Sequence, residues 1–195
     1  MSNKKLSSKQ LAEIKRLITD NYISVSRHPY ANLYIYNYTA KSQYDKYWTE
    51  ETRMCRGLIL DNQGYVIARP FPKFFNLDEH VILNQNVPNE PFDVYEKIDG
   101  SLGILYQLKG KPSIATRGRF DSTQAISANQ ILSEKYGHVT FNPAYTYLFE
   151  IVLPENRIVI DYKNVRALFL LAVIDNKTGQ EVPASRDLGF PLAQK

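Results

Sequence analysis

The stretch Tyr95-Glu96-Lys97-Ile98-Asp99-Gly100-Ser101 joins two segments that read as β-strands, Phe92–Lys97 and Ser101–Leu108. Its lysine stands at a strand end beside a tight glycine turn, with a carboxylate two residues on. From these residues alone two readings stay open. One is a plain hairpin turn. The other is a rigidly held amine, which becomes a nucleophile when desolvation or neighbouring cations favour its neutral form. Candidate cations elsewhere in the chain are Arg56, Lys73 and Arg117.

Outward from this stretch the strand signals continue. Pro112–Thr116 returns along Ser101–Leu108 around Lys109-Gly110-Lys111. Gly57–Asp61 and Tyr65–Arg69 flank Asn62-Gln63-Gly64, a hairpin with glycine where a positive φ is expected. Leu33–Thr39, Tyr145–Leu153, Arg157–Tyr162 and Ala167–Ile174 are rich in aromatic and β-branched residues and read as further strands. The last is followed by a turn at Asp175–Gly179. Two helices stand out. Ser7 with Gln10 forms a capping box ahead of a helix over about Ser8–Asn21, with Leu11, Ile14, Leu17 and Ile18 at helical spacing. Asp121 or Ser122 caps a second helix to Tyr136, with Ala125, Ile126, Ala128 and Leu132 inward and Gly137 as its stop. Many antiparallel strands, few helices and no strand–helix–strand alternation give an α+β class.

Composition narrows the function classes. The 195 residues carry 24 Lys plus Arg against 20 Asp plus Glu, a net charge of +4 that suits a phosphate-rich partner without requiring one. Hydrophobic residues at 44% and charged residues at 23% exclude a disordered or collagen-like chain. One cysteine, Cys55, excludes an internal disulfide and a cysteine-based zinc cluster. The longest apolar run, Ala167–Ile174, is far short of the ~18 residues that span a bilayer, so no membrane partner is expected. The N-terminus lacks the apolar stretch of a signal peptide, which sets the cytoplasm as the expected compartment. No linker or repeat interrupts the chain, so residues 1–195 read as a single domain.

Glu150 is the second informative residue. It stands inside the apolar strand YTYLFEIVL on the face of Leu148 and Val152. A buried unpaired carboxylate is costly, so a cation, metal or donor should await it. A salt bridge to Arg157 and a metal or ribose contact facing a cleft both remain open. His28, His80 and His138 form no ligand or triad pattern and read as surface or capping residues. Arg157, Lys163 and Arg166 could line an RNA groove or simply be solvated, and there is no P-loop.

KIDGS resembles the nucleophile motif of the covalent nucleotidyltransferases, namely ATP-dependent DNA and RNA ligases and mRNA-capping enzymes. The chain is more specifically similar to the bacteriophage tRNA-repair RNA ligases, the RNA ligase 1 family. CRGLILD (Cys55–Asp61), RPFPKFFNLDE (Arg69–Glu79), ATRGRFDSTQAISANQIL (Ala115–Leu132) and FEIVLPENRIVIDY (Phe149–Tyr162) resemble that family's segments in the family's order. The resemblance covers Leu33 to about Glu181. It implies an antiparallel-sheet-rich, ATP-grasp-like nucleotidyltransferase domain that adenylylates itself and then seals RNA ends such as those of cleaved tRNA.

Residue by residue, the resemblance implies that Lys97 would attack the α-phosphorus of ATP and leave lysyl-AMP. Arg56, Lys73 and Arg117 would hold the triphosphate. Tyr36, Phe75, Glu96, Asp99, Gly100 and Glu150 would line the nucleotide site, with Glu150 binding Mg²⁺ (or Mn²⁺) or orienting the nucleotide. Tyr36 is equally readable as one more inward aromatic of its strand. Phe74 and Phe75, being adjacent, cannot share one face of a strand.

The chain also departs from the family pattern. It has no Glu-Gly dipeptide, and its only Lys-x-Lys, Lys109-Gly110-Lys111, precedes the Glu150 segment. The domain is therefore expected to be incomplete at its C-terminus and to lack the downstream RNA-specificity domain. Either the chain is a fragment or shortened product, or a second polypeptide supplies the missing motifs. The alternatives are a catalytically deficient nucleotide- or RNA-binding remnant, and a DNA ligase or capping-type enzyme.

Overall fold

The computed structural model describes residues 4–82, 90–156, 158–183 and 188–195. Its elements are α1 (Ser8–Thr19), β1 (Ile23–Arg27), β2 (Leu33–Tyr38), α2 (Ala40–Tyr44), α3 (Glu50–Met54), β3 (Arg56–Asp61) and β4 (Val66–Ala68). There follow α4 (Leu77–Ile82), β5 (Ser101–Leu108), β6 (Lys111–Thr116), α5 (Thr123–Tyr136), β7 (Tyr145–Val152), β8 (Ala167–Asp175) and β9 (Glu181–Val182). The strands form two antiparallel sheets, ordered β1-β2-β3-β4 and β6-β5-β7-β8-β9.

Burial arranges these elements in four layers. One cluster joins Leu17 and Ile14 of α1 to Leu58 and Leu60 of β3, on the outer face of the first sheet. A second joins Ile35 and Ile59 to Ile104, Leu148 and Ala172, and so lies between the sheets. A third packs Ala128, Ile131 and Leu132 of α5 onto Phe149, Ile151 and Leu170. The alternation of β7 follows directly: Tyr147, Phe149 and Ile151 serve the α5 side, leaving Glu150 on the inter-sheet face with Leu148.

Local signals account for most boundaries. Ser7 and Gln10 make the reciprocal capping box. That helix ends at Thr19 rather than Asn21, because Asn21 turns to φ +62°. Gly64 takes φ +84° in the β3–β4 turn. Lys109 (φ +52°) and Gly110 (φ +78°) form a two-residue β5–β6 turn with both φ values positive, which matches the right-handed strand twist. Ser122 caps α5 by accepting from the Ala125 N–H.

Three expectations fail. Ile126 is 62% exposed and the inward position belongs to Ile131, which continues the Ala125–Ala128 spacing. Phe92–Lys97 is not a strand; Phe92 and Val94 are exposed, so this segment has no buried face. Residues 158–162 are likewise irregular, and Arg157 lies outside the described residues. The N–H groups of Val159 and Ile160 are committed to a side chain, Asp99 Oδ2, at 2.6 and 2.9 Å instead of to a neighbouring strand. The short elements β1, α2, α3, α4 and β9 were not anticipated from sequence.

Candidate active site

A cavity of about 860 Å³ opens between the sheets. Lys97, Ile98 and Gly100 form one side, Glu150 and Leu171 come from the second sheet, and Asn37 and Arg56 come from the first. Arg117, Gly118 and Gln124 close it where β6 runs into α5.

Lys97 projects into this space with its side chain 87% exposed and its Nζ 3.8 Å from Asp99 Oδ1. Asp99 is fixed far more firmly. It is 8% exposed, its Oδ2 accepts two backbone N–H groups from the 158–162 loop, and its own N–H donates to Tyr162 Oη at 2.9 Å. The Ile160 and Val159 N–H donors hold its carboxyl below the ordinary aspartate range. This side chain ties the KIDGS turn to the loop that sequence periodicity had suggested was a strand.

Gly100 has a steric reason to be glycine. A Cβ there would run into the Ile151 carbonyl oxygen and lie 3.2 Å from Glu150 Cγ. The turn therefore packs directly against β7, with the Gly100 N–H close enough to Glu150 to influence its carboxyl. Burial pushes the Glu150 carboxyl up to about 7; Lys97, the Gly100 N–H and Arg56 oppose that rise without cancelling it. Glu150 lines the cavity, while Arg157, its alternative partner, lies outside the described residues.

Of the three implied cations, Arg56 and Arg117 line the cavity and Lys73 does not, though it lies close enough to be repelled by both. Arg56 is largely buried and stacks on Phe74, 4.9 Å from the ring centroid. Arg117 lies 5.1 Å from the Tyr38 ring centroid and donates to Tyr38 Oη at 3.1 Å. Lys73 Nζ donates to the Phe74 carbonyl at 2.6 Å and sits 4.3 Å from the Phe75 ring centroid. Burial lowers the pKa values of Arg56 and Lys73, and repulsion from Arg117 lowers both further. Among the described residues none of these three cations forms a salt bridge. Arg56 Nη1 and Asn37 Oδ1 are buried without a hydrogen-bond partner. Desolvated cations and orphaned polar atoms around one cavity call for an anion with hydrogen-bonding edges.

Other implied residues stand further off. Tyr36 packs in the α1-side cluster, and burial raises its pKa. A register shift between Tyr36 and Asn37 in the β2–β3 pairing accompanies the presentation of Asn37 to the cavity and of Tyr38 to Arg117. Phe75 meets Trp48, with ring centroids 5.6 Å apart, while Phe74 borders the cavity. Glu96 lines the cavity but is engaged behind it: its N–H donates to the Gln194 carbonyl at 2.9 Å and its Oε1 accepts from the Gln194 N–H at 3.0 Å.

Residues that sequence reasoning passed over are Asn37, Tyr38, Phe74, Gln124 and Asn156. The last two form a relay in which Gln124 Nε2 donates to Asn156 Oδ1 (3.1 Å) and Asn156 Nδ2 donates to Ser101 Oγ (2.8 Å). It braces β5 next to Gly100. Only the proximity of Asn156 to Glu150 in sequence could have signalled it. Of the histidines, His28 is buried rather than superficial, and its Nδ1 accepts from the Tyr30 N–H at 3.1 Å.

Among the described residues no group of three or more His, Cys, Asp or Glu could hold a metal. Two carboxylates, Glu150 and Asp99, stand at Lys97. Mg²⁺ commonly binds through one or two carboxylates plus substrate phosphates, so this donor set fits a metal that arrives with a nucleotide. Among the described residues no helix is long and apolar enough to cross a membrane.

Comparison with known proteins gives consistent results. A family model described as RNA ligase matches residues 54–187. A protein of Autographa californica nuclear polyhedrosis virus, described as a bifunctional polynucleotide kinase/RNA ligase, is 35% identical over 153 residues, covering 64% of this chain and 22% of its own length. An RNA ligase described from Thermovibrio ammonificans is 29% identical over 172 residues, covering 82% of this chain and 44% of its own. The RNA ligase of Rhodothermus phage RM378 is 27% identical over 181 residues, covering 71% and 40%. The chain thus spans less than half the length of these relatives. Among solved structures, an ATP-dependent DNA ligase from Aquifex aeolicus superposes with a TM-score of 0.54 at 15% identity, over 94% of this chain and 50% of that one. That likeness establishes that the chain shares the α+β fold of that ligase.

Proposed function

The chain belongs to the RNA ligase family, and on that premise we propose that it is the adenylyltransferase portion of an ATP-dependent RNA ligase. The observation that carries this reading is the convergence of Lys97, Arg56, Arg117 and Glu150 on one cavity whose buried Arg56 Nη1 and Asn37 Oδ1 lack partners.

In this reading ATP is a substrate. The Lys97 amine attacks the α-phosphorus, a P–N bond forms, the bond to the bridging α–β oxygen breaks, and pyrophosphate leaves with that electron pair. Such chemistry depends on positioning and on charge neutralisation. Arg56, Lys73 and Arg117 meet the phosphate oxygens. Asp99, held by the Val159 and Ile160 N–H groups, keeps the Lys97 turn in place. Asn37 supplies an unsatisfied acceptor for the nucleotide. Mg²⁺ (or Mn²⁺) would be held by Glu150 and would neutralise phosphate charge. The AMP is then passed to an RNA 5′-phosphate, and attack by a 3′-hydroxyl joins the ends and releases AMP.

The test is incubation with ATP labelled at the α-phosphate and Mg²⁺. The reading expects covalently labelled protein, no label with Lys97→Ala, and loss of label on adding pyrophosphate. Labelling of the Lys97→Ala variant at the parental level would refute the assignment. Thermal stabilisation by ATP without covalent label would favour a binding remnant.

A further inference from the structure

A second cavity, of about 380 Å³, lies where the chain enters α3 and leaves β4. Trp48, Glu50, Arg53, Arg69 and Thr178 border it, and its floor includes Pro70. Arg69 is its unexplained feature. The residue is half-buried, and among the described residues its Nη1 is buried with no partner while Nη2 donates to Met54 Sδ at 3.9 Å. Burial lowers its pKa, and the carboxylates of Asp175 and Glu50 oppose that fall without cancelling it. The nearby acid Asp175 accepts the Lys177 and Thr178 N–H groups instead. Arg53 is exposed at the same opening, where the two guanidiniums stand with the carboxylates of Glu50 and Asp175, the latter already engaged by two backbone N–H groups.

A path of aromatic rings links this cavity to the first. The Trp48 ring stands edge-to-face with Tyr38 at 5.1 Å and with Phe75 at 5.6 Å. Tyr38 in turn receives the Arg117 hydrogen bond at the first cavity, and Lys73 Nζ lies 5.6 Å from the Trp48 ring centroid. Tyr38 is buried, so the ring accessible at this opening is Trp48; cations beside an accessible aromatic face are what a single-stranded nucleic acid uses, phosphates meeting the cations and bases stacking on the ring. We propose that the second cavity binds a backbone phosphate of single-stranded RNA through Arg69 and Arg53, with the adjoining base against Trp48. The buried Tyr38, in ring contact with Trp48 and hydrogen-bonded by Arg117, lies between this subsite and the nucleotide cavity. The substrate role of this subsite rests on the RNA ligase reading; its occupancy by RNA does not.

Trp48 is the chain's only tryptophan, so its fluorescence reports on the subsite alone. The full chain is titrated with a short 5′-phosphorylated single-stranded oligoribonucleotide, with inorganic phosphate in a parallel series. The proposal expects the oligonucleotide to quench Trp48 and inorganic phosphate at the same concentration to leave it unchanged. Arg53→Ala should weaken binding roughly ten-fold and flatten its salt dependence by about one charge. At the exposed turn, Thr178→Glu should weaken binding and Thr178→Arg should tighten it, with covalent labelling by ATP unchanged in both. Affinity indifferent to all three substitutions, or quenching reproduced by inorganic phosphate, would overturn the proposal. Charge-dependent RNA binding in a protein that ATP never labels would support the subsite while refuting the ligase reading.

Discussion

Replacing Glu150 by Gln should stabilise the protein while disabling it, and the gain should depend on pH. The Glu150 carboxyl, buried on the inter-sheet face of β7, is pushed from its ordinary 4.5 up to about 7. The charged form is therefore the penalised one. The penalty is absent below pH 4.5, grows as pH rises, and is complete above about 7. A displacement of that size corresponds to about 3 kcal/mol. The carboxylate still reaches solvent through the open cavity, which reduces the figure to about 1–2 kcal/mol. A neutral amide of the same shape keeps the packing and removes the charge. At ~2–4 °C per kcal/mol for a chain of this size, Tm should rise by about 2–8 °C at pH 8. Thermal unfolding of both proteins at pH 4 and pH 8 without nucleotide checks this: the curves should coincide at pH 4 and separate at pH 8. Covalent labelling by ATP should fall sharply in the variant. A Tm difference equal at both pH values, or a variant less stable at pH 8, would refute the argument that desolvation dominates at Glu150.

Three further perturbations probe the scaffold. Gly100→Ala would drive a methyl group into the Ile151 carbonyl; overpacking of this kind costs about 1–3 kcal/mol, read as a lower urea midpoint together with reduced labelling. Asn129→Ala removes three 2.8 Å bonds, two of which satisfy the outward N–H and C=O of Ile114 on edge strand β6. It should cost about 2–3 kcal/mol in chemical denaturation, and an unchanged midpoint would contradict that role. Asp99→Asn should release the 158–162 loop, seen as faster amide exchange at Val159 and Ile160 with little change in Tm. Because the Asp99 carboxyl is held below its ordinary range, amide protection in the parent should persist through that range and fade only at lower pH.

How far the sequence could be read depended on where each segment's backbone bonds go. Capping at Ser7 and Ser122 and the turns at Gly64 and Lys109-Gly110 are local devices, and each is visible in a few residues. Residues 158–162 carry the β-branched composition of a strand, yet two of their N–H groups bind a carboxylate some 60 positions earlier in the chain. Propensity cannot register a partner that distant. Phe92–Lys97 misleads in the same way, since apolar residues predict a strand only when a face is buried. In the site, adjacency in sequence concealed two choices. The β2–β3 register shift accompanies cavity positions at Asn37 and Tyr38 rather than Tyr36. The irregular backbone after β4 puts Phe74 at the cavity and Phe75 against Trp48. The cations Arg56, Lys73 and Arg117 were legible as charges, but the meeting of Arg56 and Arg117 at one cavity, with Lys73 nearby, required the two sheets to be packed together.

The most direct test is to map the site of nucleotide attachment. After incubation with ATP and Mg²⁺, peptide mass spectrometry of the full chain should find one AMP adduct, on Lys97, labile to acid and stable to base as a phosphoramidate is. An adduct on any other residue, or a base-labile acyl adduct on Glu150 or Asp99, would contradict the account.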